Sequence, residues 1–243
     1  MTRQRLWTEI LIVLAVSFGI SGVRGLLRVT DALLDARPLN EQQVTLHQSL
    51  ANAPWIDLGL QLASAGTLFA YGALAMYLLA GQVALPRPRW SDLGWGAGLA
   101  AIIGLPGLAF YATALHLGLT REVIPTALTH PWTEVPVLLT WSFANAWGEE
   151  IVVVMYLLTR LRQLGWGLPT ALAFSSVLRG SYHLYQGVSA GFGNIIMGVL
   201  YGWFYWRTGR VWPLIIAHFL IDAVAFVGYA ALGGDLSWLG IGH

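Results

Sequence analysis

Runs of about twenty mostly apolar residues recur along the whole chain, and they restrict it to folds that bury backbone in lipid. Seven runs are legible: Leu6–Val23, Trp55–Ala80, Leu93–Leu115, Glu134–Leu158, Gly167–Tyr185, Gly191–Trp206 and Val211–Leu232. A membrane-spanning helix needs about 20 mostly apolar residues, which is the length of these runs. The expected fold is an all-α membrane protein, a polytopic bundle of about seven transmembrane helices in a single integral membrane domain, residues 1–243. Composition agrees, because 56% of residues are apolar and only 10% are charged. So few charges do not cover a water-soluble surface.

A net charge of +1 argues against a nucleic-acid partner. The absence of cysteine removes disulfides, thiolate catalysis and Cys-based metal sites. Arg3 and Arg5 ahead of the first apolar run resemble the start of a signal peptide. That run continues past Gly22 with no evident cleavage site, so it is read as a retained first span. Arginines then orient the bundle. With the N-terminus in the cytoplasm of a plasma-membrane protein, the inner segments hold Arg3, Arg5, Arg87, Arg89, Arg160, Arg162, Arg207 and Arg210, with Asp92 as nearly their only acid. The outer segments mix Arg24, Arg28, Arg37 and Arg121 with Asp31, Asp35, Glu41 and Glu122. The third run contains Leu105-Pro106-Gly107, which predicts a kink or break. The polar stretch Asp31–Pro54 reads as a connector, with a short interfacial helix over Asn40–Leu50 as the alternative.

Ionisable side chains inside apolar spans are costly and mark function. They concentrate in the last third of this chain. The fourth run carries Glu149 and Glu150, about 100° apart on a helix and so unable to serve one surface. Ser142, Asn145, Glu149 and Tyr156 share a narrow sector there. Ser176, Arg179, His183 and Gln186 form one face of the fifth run. Arg179 stays charged and needs an acid, with Glu149, Glu150 and Asp222 on offer. The seventh run carries His218 and Asp222, four apart, either as a local pair with Asp222 orienting the ring or as two groups in a shared cavity. In the sixth run, Gly198 and Gly202 suit close helix packing. Each cluster also has a structural reading, as ion pairs or hydrogen bonds that fix helix packing. Straight helices place Glu149 roughly 20 Å, His183 roughly 24 Å and His218 with Asp222 roughly 10 to 17 Å above the inner ends of their spans. Those heights do not coincide.

The order Glu149-Glu150, then His183, then His218-Phe219-Leu220-Ile221-Asp222 on successive helices resembles the type II CAAX prenyl protease family, also called CPBP or Abi intramembrane proteases. The resemblance covers roughly residues 133–230 and makes that stretch a catalytic core within the membrane domain. The family pattern is Glu-Glu-x-x-x-Arg, Phe-x-x-x-His and His-x-x-x-Asn/Asp. Two positions depart from it: Val154 replaces the arginine and Arg179 replaces the phenylalanine. Arg179 is expected to supply the missing charge from the neighbouring helix, and an arginine at 154 to rescue its loss in part.

The resemblance implies peptide-bond hydrolysis within the membrane, on a membrane-delivered peptide or protein. It gives Glu149 with His183 the activation of water, and His218 with Asp222 the oxyanion side. Glu150 completes the catalytic set, with Arg179 and Asn145 supporting. A divalent metal such as zinc is left open; if one is present, its ligands are Glu149, His183 and His218. No cofactor is required by the reading adopted here. Two other functions compete: a non-catalytic immunity or scaffold protein with a structural polar cluster, and a proton-coupled transporter. No inverted repeat or paired broken helix supports the transporter.

Overall fold

The computed structural model describes residues 2–128 and 131–233. The remaining residues, including 234–243 of the expected single domain, lie outside the described residues. The order is α1 (Arg3–Val16), α2 (Phe18–Leu34), a 3-10 turn (Leu39–Glu41), β1 (Gln43–Gln48), α3 (Pro54–Leu79), α4 (Trp90–His116), β2 (Glu122–Ala127), α5 (Pro131–Glu149), a π-helical segment (Glu150–Tyr156), α6 (Leu157–Gln163), α7 (Leu168–His183), a 3-10 turn (Leu184–Gln186), α8 (Val188–Thr208) and α9 (Trp212–Ala231).

The architecture is all-α apart from one pair of short strands. By length and apolarity, α3, α4 and α9 are able to cross a membrane, and α1 with α2 makes a fourth span if the bent pair counts as one. Sequence reading expects a single first span, but the chain bends by 52° between α1 and α2. At the break, the Ser17 hydroxyl donates back to the Val13 carbonyl at 2.6 Å, competing with the helical ladder. Pro106 does not divide the third run, since α4 passes through it.

The connector after α2 differs from both expectations. It forms β1, which pairs in parallel with β2 from Gln43↔Glu122 to Gln48↔Ala127. β2 does not alternate in polarity, and although β1 does over residues 43–47, its partner lies 79 residues away in the register Gln43↔Glu122. Five alternating residues with so distant a partner give only a weak strand signal.

Helix ends sort into two layers. In one, Arg160 of α6 donates to Glu9 of α1, Gln82 and the Leu78 carbonyl. Arg210 donates to Asp92 at the start of α4 in the same layer, and the Trp212 indole donates to the Pro86 carbonyl. The other layer holds β1, β2 and the bridge between Thr120 and Gly187. Between them Ile151–Leu158 is wholly buried and forms the centre of the core, packed with residues of α1, α3, α7, α8 and α9. Large apolar side chains outside this core are widely exposed on α2, α3 and α4, as suits a lipid-facing surface. Small residues draw α7 and α8 together: a Cβ on Gly198 would meet the Ser176 backbone at 2.9 Å, and one on Gly202 would meet Leu172 at 2.6 Å.

Candidate active site

All five expected catalytic residues, together with Arg179, converge on one buried cluster between α5, α7 and α9. Glu149 ends α5 and Glu150 opens the π-helical segment. A π turn inserts extra residues into a helix and recurs at functional sites. Here it changes both the rotation and the height of everything after Glu149. The Ser175 hydroxyl of α7 donates to the Val153 carbonyl inside this segment at 2.7 Å, holding the irregular turn from outside. The side chains meet across the different heights that straight α-helices give them.

Glu149 and Glu150 each have partners of their own but share Arg179, so their angular offset does not keep them on separate surfaces. The Glu149 carboxylate accepts from the Tyr182 hydroxyl at 2.7 Å, and His183 Nε2 lies 3.6 Å from the same oxygen. Glu150 is sealed from solvent. Its Oε1 accepts from Arg179 Nη2 at 2.5 Å and meets His218 Nδ1 at 2.8 Å. Arg179 Nη2 also lies 3.9 Å from Glu149, so one guanidinium spans both carboxylates.

Sequence reading allows Asp222 to orient His218. The shorter contact belongs to Glu150, because His218 Nε2 and Asp222 Oδ1 are 3.7 Å apart, beyond hydrogen-bond distance. Asp222 instead accepts from the Asn145 amide of α5 at 3.1 Å. Of the expected α5 stripe, Asn145 and Glu149 reach the site, Ser142 donates to its own helix at Leu138, and Tyr156 turns to Glu9 at 3.1 Å. Gln186 reaches His183 Nδ1 at 3.5 Å.

Several buried polar atoms of the cluster make no hydrogen bond among the described residues: Glu150 Oε2, Arg179 Nε and Nη1, His183 Nε2, Ser176 Oγ and Tyr201 Oη. Protein interiors rarely leave such groups without a partner. The cluster therefore has hydrogen-bonding capacity to offer water or substrate. Two of its members were missed from sequence. Tyr182 adjoins His183 and carried no motif signal. Tyr201 lies under the guanidinium, its ring 5.6 Å from Arg179 Cζ, on a helix read only as packing.

The metal set that the sequence leaves open finds no matching arrangement among the described residues. Among the described residues no group of three His, Asp or Glu is placed to hold a metal ion. His218 Nδ1 is taken by Glu150 while Glu149 is held by Tyr182. The donors are engaged with one another rather than splayed around a shared point, and no step below passes through a metal.

Fold and site together define a helical membrane protein with a buried carboxylate–histidine centre. Residues 131–224, the stretch that contains every site residue, match the family model of the type II CAAX prenyl endopeptidase Rce1-like proteins. The match covers 94 of the 243 residues and makes that stretch similar to the CPBP, or CAAX protease-like, family of endopeptidases. No curated protein and no solved structure matches the chain.

Proposed function

We propose that this protein is an intramembrane endopeptidase that cleaves a membrane-delivered peptide or protein with a water activated by Glu149 and His183. The observation that carries the reading is the opposition of these two groups at 3.6 Å inside a buried cluster. That separation is too long for a direct hydrogen bond, and catalytic contacts often tighten only when substrate binds. Glu149 takes a proton from water as the oxygen attacks the substrate carbonyl carbon. His183 Nε2 holds that water, while Tyr182 and Arg179 fix the carboxylate. The C=O electron pair moves to oxygen, where His218 donates from Nε2. Glu150 holds the opposite ring nitrogen, and Asn145 with Asp222 lies on the same side. Collapse of the tetrahedral adduct breaks the C–N bond, and the proton on Glu149 passes to the leaving amine.

The same reading places seven passes in a plasma membrane with the N-terminus cytoplasmic. The Arg160, Arg210 and Trp212 layer forms the inner face, and β1 with β2 lies on the outer one. Alternation of helix ends between those layers supports the number of passes, and the arginines of the first layer support its orientation. The test is mass spectrometry of membrane peptides from cells carrying wild type, Glu149→Ala or His183→Ala. Both variants are expected to accumulate normally and to lose the same set of cleavage products. Unchanged products in both variants would overturn the proposal and favour a non-catalytic immunity or scaffold role. The wholly buried Arg179–Glu150 pair is the feature that suits such a role best.

A further inference from the structure

The paired strands β1 and β2 lie over the site and have two unlike edges. The Glu122 N–H donates to the Gln42 carbonyl at 2.9 Å. With the parallel register, this turns the main-chain groups of Val44 and Leu46 toward β2 and those of Thr45 and His47 outward. The outer edge of β2 is closed. Val123 N–H donates to the Tyr111 hydroxyl at 2.8 Å, Arg121 N–H to the Gln186 carbonyl at 3.3 Å, and residue 125 is a proline with no N–H. On the outer edge of β1 the Gln43 carbonyl accepts from Arg121 Nη2 at 2.8 Å, but beyond it the edge is open: the sheet has two strands, and no described residue hydrogen-bonds the outward main-chain groups of Thr45 or His47.

The open edge is continuous with the site. The His47 ring sits against Trp141 of α5 and Phe226 of α9, at centroid distances of 5.0 and 4.7 Å. Trp141 and Phe226 each lie four residues outward of Asn145 and Asp222, which bond to each other. His47 therefore roofs the chamber one helical turn above that pair. Its Nε2 is buried with no partner among the described residues. β1 crosses this end of the bundle from α2, where Gln42 donates to the Ala32 carbonyl, to α3, where Gln61 donates to the Gln48 carbonyl.

We infer that the open edge of β1, at Thr45 and His47, binds the substrate as an added strand and delivers an extended polypeptide to the chamber under His47. The inference rests on the hydrolase reading. Strand addition suits proteolysis because it holds a peptide extended through its main chain, whatever its side chains.

The test uses the full chain in cells. Membrane-peptide mass spectrometry of wild type against Glu149→Ala defines the peptides whose release needs Glu149. Thr45→Pro removes only an outward N–H, as an edge strand tolerates. It is expected to lower release of those peptides about tenfold, as loss of one or two main-chain hydrogen bonds implies. Wild-type release by Thr45→Pro overturns strand addition and leaves the hydrolase reading intact. No Glu149-dependent peptide at all overturns both. If Thr45→Pro fails to accumulate, synthetic peptides spanning the strongest Glu149-dependent junction replace it, offered to purified wild type in nanodiscs. N-methylation scanned along their backbone is expected to block cleavage at every second position. Equal cleavage at all positions overturns strand addition.

Discussion

Arg179 on α7 donates to Glu150 across the helix interface at 2.5 Å, and neither side chain reaches solvent. In the family pattern the positive charge comes from the helix that carries the two glutamates. Here it comes from α7, where the pattern has phenylalanine. A lone guanidinium or carboxylate in this interior would be costly, so each residue requires the other. Arg179→Ala is expected to destabilise the protein by about 3–5 kcal/mol, read as a lower melting temperature in detergent. Lysine at 179 recovers only part, because it cannot span both carboxylates as a planar fork does. Val154 is sealed in the apolar core, so an arginine placed there meets no room for its charge. The partial rescue expected from sequence is replaced by its opposite: Val154→Arg with Arg179→Ala melts no higher than Arg179→Ala alone. Melting of Arg179→Ala at the wild-type temperature would refute the pairing.

The site was legible to the extent that charge in an apolar span is legible. Glu149, Glu150, Arg179, His183, His218 and Asp222 announced themselves because lipid tolerates none of them idly. Helical spacing set the two glutamates on different surfaces, yet both carboxylates reach Arg179, at 3.9 and 2.5 Å. What stayed hidden depends on contacts between distant segments or on irregular backbone. The π turn after Glu149 has no composition of its own that marks it in the sequence. Glu9 went unnoticed in the first run, yet it holds Arg160 and Tyr156. β1 and β2 were invisible because each is short and pairs only with the other.

Glu149 and Glu150 are adjacent but carry separable duties. Glu150 neutralises Arg179 and bonds His218 while fully enclosed. Glu149 keeps a contact 3.6 Å from His183, where chemistry is proposed. Glu150→Gln is therefore expected to lower the melting temperature clearly more than Glu149→Gln does. Glu149→Gln is expected to fold and lose cleavage. The reverse order of melting temperatures would show that the two roles have been exchanged.

Tyr182 reaches Glu149 by a single hydroxyl, at 2.7 Å. Removing that oxygen as Tyr182→Phe keeps the ring packed on Phe18, 5.0 Å away. One hydrogen bond to a charged group is worth about 1.5–3 kcal/mol. The variant is expected to keep its fold and to cleave roughly ten- to a hundredfold more slowly. Wild-type cleavage rates would remove Tyr182 from the machinery.

The α7–α8 seam positions Arg179 and His183 by backbone proximity. A Cβ on Gly198 would sit 2.9 Å from Ser176 Cα, a backbone atom that cannot swing aside. Gly198→Ala is expected to cost about 1–3 kcal/mol, the usual penalty for overpacking, whereas Gly107→Ala, with open space around its Cβ, is expected to cost none of that. Equal melting temperatures for the two variants would count against a close seam.

His47 sits outside the spanning helices, and its burial pushes its pKa down from 6.5 to about 4. The folded protein holds this ring neutral where the unfolded chain would protonate it. Between pH 6.5 and about 4 the unfolded state binds the extra proton, so stability falls as pH falls through that window. The full contribution of a shift from 6.5 to about 4 is at most about 3 kcal/mol. Below about pH 4 both states carry the proton and this contribution stops changing. Melting temperature in detergent is therefore expected to drop between pH 6.5 and 4, and His47→Phe, which keeps a ring between Trp141 and Phe226, is expected to flatten that drop. An identical pH profile in His47→Phe would mean that the imidazole is hydrated and does not roof the chamber.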